Sequence, residues 1–148
     1  MEVVNVFKRI LMATAQIIER IRIRLIESGR DTRYRIGGYE FILNGMEFYL
    51  TSIGEKRHVT GQELTHGLLL FAQKQFGPLA RTVLNYWGIT TTKDLGNIVY
   101  NMIDIGIMSK QPDDMIEHFN EIIDINYFFE HQHYFRVEKE TVKRIKGA

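Results

Sequence analysis

Glu63 and His66 stand three residues apart in EL-T-H, the spacing that places an acid and an imidazole on one face of a helix. In carboxylate-bridged metal bundles such a pair supplies two ligands, and other helices supply the rest. His118, with Asp114 four residues before it, is the nearest thing to a further ligand, so Glu63, His66 and His118 form the metal hypothesis. The plainer reading is that Glu63 belongs to a capping box with Thr60. A second group is Arg57, His58 and Thr60, a basic pair beside a helix start. Free N–H groups and the helix dipole favour an anion there. The plainer alternative pairs Arg57 with an acid and leaves His58 covering the turn. A third group is Lys93, Asn97, Tyr100 and Asn101, spaced along one helix as DNA contacts would be, since asparagine can read adenine. Its own charge balance, with Asp94 and Asp104 included, is −1, and phosphate contacts normally supply most of the affinity.

No G-x-S-x-G, Walker A, G-x-G-x-x-G or H-E-x-x-H occurs, and Gly37-Gly38 alone does not make a phosphate loop. No catalytic residue and no cofactor is assigned, and an enzyme is poorly supported. With no cysteine, disulfide and thiolate chemistry are excluded. The apolar run at the N-terminus is broken by Lys8, Arg9, Glu19 and Arg20, and no stretch reaches the ~18 apolar residues of a membrane span. The expectation is a cytoplasmic protein without a membrane partner.

The elements that must carry these groups are helices. Thr60 with Glu63 opens one, and Leu64, Leu68, Phe71 and Ala72 give its apolar face. Gly77 ends it and Pro78 begins the next. Leu79, Val83 and Trp87, with Ala80 and Leu84 beside them, form the second stripe up to Gly88. Thr91 with Asp94 opens the third, with Leu95, Ile98, Val99, Met102 and Ile103 buried and Gly106 at its end. Upstream, Asn5 to Ser28 follows the helical period through Val3, Phe7, Ile10, Ile17, Ile21 and Leu25, which leaves Ile23 exposed or against a partner. Gly29 to Gly38 reads as a basic loop, and Tyr39 to Ser52 as a helix in which Gly45 admits a close neighbour. Pro112-Asp113-Asp114 opens a short helix to Phe119 or lies in a wing. Tyr127, Phe128, Phe129, Tyr134 and Phe135 pack the tail.

At 148 residues the chain is expected to form a single helical domain over 1–148. The layout is mainly α: a compact bundle of about five helices. Helix, short turn WGITTT, helix is a helix-turn-helix pattern. The run IVYNMIDIGIMSK after it resembles a recognition helix entering a wing strand. The centre is therefore read as winged-helix-like, with room for a small β wing.

YEFILNGMEFYL, RHVTGQEL, QFGPLARTVLNYWGI and DLGNIVYNMIDIGIMSK together resemble a conserved hypothetical family of short bacterial proteins, first described as restricted to planctomycetes and verrucomicrobia. The resemblance runs from about Arg33 to Glu130. Its most specific pieces are R-H-V-[ST]-G-x-E-L at Arg57 to Leu64 and F-G-P-x-A at Phe76 to Ala80. The Arg-rich loop and basic tail are unmatched. The resemblance implies one small domain and no activity, substrate or catalytic residue.

Net charge is +1, but its distribution is uneven. Six arginines between Arg20 and Arg35 face only Glu27 and Asp31, while Asp113 to Glu130 holds six acids and no Lys or Arg. Such blocks pair within a chain, pair between subunits, or form separate solvated faces. The function expected on these grounds is a non-enzymatic protein–protein interaction domain with a winged-helix-like core, through an unknown partner or self-association. The alternatives are a DNA-binding winged helix, disfavoured because the acidic block follows the recognition helix, and a metal-binding helical protein.

Overall fold

The computed structural model describes residues 14–54 and 58–133, which form an all-α bundle. Helix α1 runs through residues 14–21 and widens into a π turn over Arg22–Glu27. The widening shows in the bond from the Ser28 N–H to the Ile23 carbonyl, five residues back, at 3.2 Å. Ile17, Ile21 and Leu25 recur every fourth residue and are buried, while Ile23 is 50% exposed. The earlier part of the expected helix, with Val3, Phe7 and Ile10, lies outside the described residues, as do Arg57, Tyr134 and Phe135.

Helix α2 spans Ile36–Ile53. It begins three residues before the expected Tyr39, and the reason is packing. A Cβ built on Gly37 would lie 2.3 Å from the Trp87 Nε1, so the indole rests against a bare backbone that coils as helix rather than loop. Helix α3, Gly61–Phe76, opens on Thr60, whose side chain accepts from the Glu63 N–H. It crosses α2 closely at Gly45, where a Cβ would meet Leu68 Cδ2 at 2.5 Å. Gly67 repays the approach from the other side, against Tyr49. Two helices that bury Leu64, Leu68, Ile42 and Met46 at almost zero exposure hold each other by apolar area, at roughly 1.5–3 kcal/mol per fully buried side chain.

A 3₁₀ turn, Gly77–Leu79, leads into the short α4, Ala80–Tyr86. The tighter winding rotates the expected stripe: Ala80 and Leu84 are buried and Leu79 is exposed. Trp87 packs half-buried against Phe41 and Phe76, with ring centroids 5.6 and 5.7 Å away. Helix α5, Thr92–Asp104, lies across α2 and is covered on another side by the 3₁₀ turn Ile116–Phe119. The short α6, Ile125–Tyr127, and a π turn, Phe128–His133, return the chain to α4, where Arg81 pairs with Glu130.

The winged-helix centre is corrected here. Among the described residues there is no β-strand, only an isolated bridge at Ser109. Gly106, at φ +79°, turns the chain back, and the N–H groups of Ile107 and Met108 both bond to the Met102 carbonyl at 2.9 and 3.3 Å. Those donors would have served a wing strand. Ile105, Ile107 and Met108 are buried, so the apolar pattern after α5 closes the core instead of starting a ribbon. The helix-turn-helix reading fails with it: α4 packs on α3, and α5 on α2 and the 3₁₀ turn.

Candidate functional site

The loop between α1 and α2 decides what α5 can do. Asp31 places its N–H on the Leu25 carbonyl at 3.1 Å, and Arg35 bonds its N–H to the Trp87 carbonyl at 3.1 Å. The loop is thereby laid along α5. Asp31, only 8% exposed, accepts from the Arg33 N–H at 3.0 Å, from Arg33 Nε and Nη2 at 3.0 and 2.7 Å, and from Asn101 Nδ2 at 2.7 Å. Asn101 also donates to the Tyr39 hydroxyl at 3.1 Å. One helical step along, the Tyr34 hydroxyl donates to Asp94 at 2.5 Å and accepts from Asn97 at 2.9 Å. Asp94 further accepts from the N–H and hydroxyl groups of Thr90 and Thr91 at 3.0–3.2 Å. At the far end Arg30 pairs with Asp104 at 3.5 Å.

The electrostatics follow from this ladder. The Arg33 guanidinium beside Asp31 outweighs burial and holds that carboxyl at about 2. Burial pushes the Asp94 carboxyl up, but its many donors, Tyr34 foremost, bring it below the ordinary carboxylate value. Burial raises the Tyr34 and Tyr39 hydroxyls, the first helped by Asp94. Tyr100 is raised to about 12 by burial, then by the charges of Asp114 and Glu117, and its buried hydroxyl has no hydrogen-bond partner among the described residues.

The sequence-derived candidates are therefore distributed as follows. Asn97 and Asn101 point into the ladder, Tyr100 is half-buried, and only Lys93 of the four proposed DNA contacts is exposed. His58 pairs with Asp114 at 3.3 Å, and Thr60 faces the Glu63 carboxylate, so an anion at that corner would meet two carboxylates. The metal reading is corrected: among the described residues no three His, Asp or Glu side chains gather to hold an ion. Glu63 turns to the Tyr49 hydroxyl at 3.1 Å, His66 is exposed on α3, and His118 lies against Gly61, its Nδ1 3.4 Å from the Met115 N–H.

What the arrangement leaves open is a groove on the outer side of the same loop. The π turn, the residues 32–36 and the end of α4 form its walls, and Arg22, Arg33, Arg35, Ile26 and Ile36 line it. Tyr86, 64% exposed, lies at its rim beneath the Arg35 guanidinium, 4.3 Å from ring centroid to Cζ. Arg22 pairs with Glu19 and Arg33 with Asp31. Arg35 has no carboxylate partner among the described residues. The arginine run is evident in the sequence, whereas nothing in the spacing around Tyr86 marks that residue. The available signal was local: Asp31-Thr32-Arg33 has the spacing at which an aspartate accepts from the N–H two residues on, which turns alternate arginines outward.

Compared with family models, with curated proteins and with solved structures, the chain matches none. Among the described residues no helix is long and apolar enough to cross a membrane.

Proposed function

We propose that the chain is a helical protein-binding domain, without a wing, whose working surface is the Arg35–Tyr86 groove, and that it docks an acidic segment of a protein. The observation that carries this is the Arg35–Tyr86 stack itself. Tyrosine and arginine dominate the energetics of protein interfaces. Here the two side chains already brace each other, so less rotamer freedom is lost when a partner arrives. Of the three arginines lining the groove, Arg22 and Arg33 are paired with Glu19 and Asp31, and Arg35 supplies the cation for a carboxylate, beside the apolar side chains of Ile26, Ile36 and Tyr86. Duplex DNA fits less well. Asn97 and Asn101, the side chains suited to base edges, are engaged with Tyr34, Asp31 and Tyr39, and the loop carrying the arginines covers the face of α5 that would enter a groove.

The test is an NMR titration with a glutamate-rich peptide and, in parallel, a short DNA duplex. The peptide shifts Ile36, Tyr86 and the Arg35 side chain, with affinity that falls as salt rises. Replacing Arg35 and Tyr86 together by alanine removes the shifts while leaving the melting temperature unchanged, because both side chains are exposed. Shifts confined to other surfaces, or a response to DNA without one to peptide, would overturn the proposal.

A further inference from the structure

Building on the docking surface just described, we infer that its occupant is a second copy of this chain, through the acidic segment around Met115. The two charge blocks do not neutralise each other inside the fold. Among the described residues, the basic block pairs with Glu19, Asp31 and Asp104, and the acidic block pairs with Arg81 and His58. Asp113, Glu117 and Glu121 are exposed and make no ion pair among those residues. Within this run Met115 is 52% exposed, on extended backbone at φ −132° and ψ 146°, immediately before the 3₁₀ turn Ile116–Phe119. The segment thus presents an apolar side chain between carboxylates at 113 and 117. The groove has the complementary composition, with Ile26, Ile36 and Tyr86 lining it together with Arg22, Arg33 and Arg35.

Met115 seats on the Tyr86 ring, a thioether–aromatic contact, and Asp113 and Glu117 reach Arg35 and Arg22. The second surface differs from the first, so the association is head-to-tail and every assembly keeps one free groove at one end and one free acidic segment at the other. Such an interface is small and charge-dominated, hence weak and sensitive to salt.

Light scattering and sedimentation from about 10 µM to about 1 mM cover the range in which such an interface would act. The mean mass rises with concentration at low salt, and raising the salt weakens the association roughly tenfold or more. Arg35→Ala removes the free cation of the groove, and Asp113→Asn with Glu117→Gln removes the charge of the segment, so the altered groove and altered segment do not attract each other. Each variant alone is monomeric. Mixed, they form a one-to-one dimer that grows no further, since one contributes an intact segment and the other an intact groove. A monomer at every concentration in low salt, or no pairing in the mixture, overturns the inference. If the wild-type groove nevertheless binds the glutamate-rich peptide, the second copy is the wrong occupant and the docking surface stands. If the peptide fails too, both readings fall.

Discussion

Asp31→Asn tests the ladder at its most charged point. The substitution keeps the shape and removes the charge that Arg33 and Asn101 bond to. The Asp31 carboxyl is held at about 2 instead of 3.8. At ~1.36 kcal/mol per unit, the native environment favours the ionised form by about 2 kcal/mol. That is an upper figure, because the Arg33 side chain is 61% exposed and water screens part of its charge. The folded-state value is depressed, so this stabilisation is complete above the unfolded value near 3.8 and is lost as pH falls through about 2. Urea unfolding can be followed by the fluorescence of Trp87, the only tryptophan, whose carbonyl bonds the same loop. Wild type is expected to exceed the variant by up to about 2 kcal/mol at neutral pH. The gap closes between pH ~4 and ~2, while other carboxylates, common to both proteins, cancel in the difference. A gap that stays constant across that range would refute the claim that the Arg33 pairing sets the Asp31 charge.

Two further substitutions probe how the loop is fastened. Gly88 sits at φ +95°, and a Cβ there would lie 2.3 Å from the Arg33 carbonyl oxygen. Gly88→Ala is therefore expected to cost about 3 kcal/mol, from left-handed strain and a backbone clash together, read as a lowered thermal midpoint. Tyr34→Phe removes the hydroxyl that joins Asp94 to Asn97 and is expected to cost about 1–3 kcal/mol by urea unfolding, since Asn97 is left buried without that partner. Combining it with Asn97→Ala should cost less than the sum of the two, because the same bond is removed only once.

Much of the helical layout was legible because its signals are local. Thr60 and Glu63 cap one another within three residues, and Ile17, Ile21 and Leu25 mark a buried face by spacing alone. The start of α2 was not legible, because Gly37 and Gly38 look like loop until the indole of Trp87, fifty residues later, is brought against them. The wing was misread for a related reason. Ile105 and Ile107 alternate as in a strand, and the same spacing occurs here in a tight turn, where the N–H groups of Ile107 and Met108 fold back onto one carbonyl, Met102.

The site shows the same division between local and distant causes. Asn97 and Asn101 are polar residues on an amphipathic helix, and periodicity assigns such residues to water. Here their partners are Tyr34, Asp31 and Tyr39, more than sixty residues away in sequence, and a buried amide is stable when its hydrogen bonds are made. Each bond that draws α5 inward also fixes the loop that covers it. Asp31 accepts three bonds from Arg33, which leaves the neighbouring Arg35 unpaired with Asp31 and stacked over Tyr86. The polar face that reads as a recognition helix thus serves as a scaffold for the loop, and the binding surface lies on the loop's outer side. It follows that loosening the ladder should weaken docking without touching any docking residue: Asn101→Leu is expected to reduce affinity for the glutamate-rich peptide through Arg35, whereas Lys93→Ala, on the same helix but exposed, should leave it unchanged.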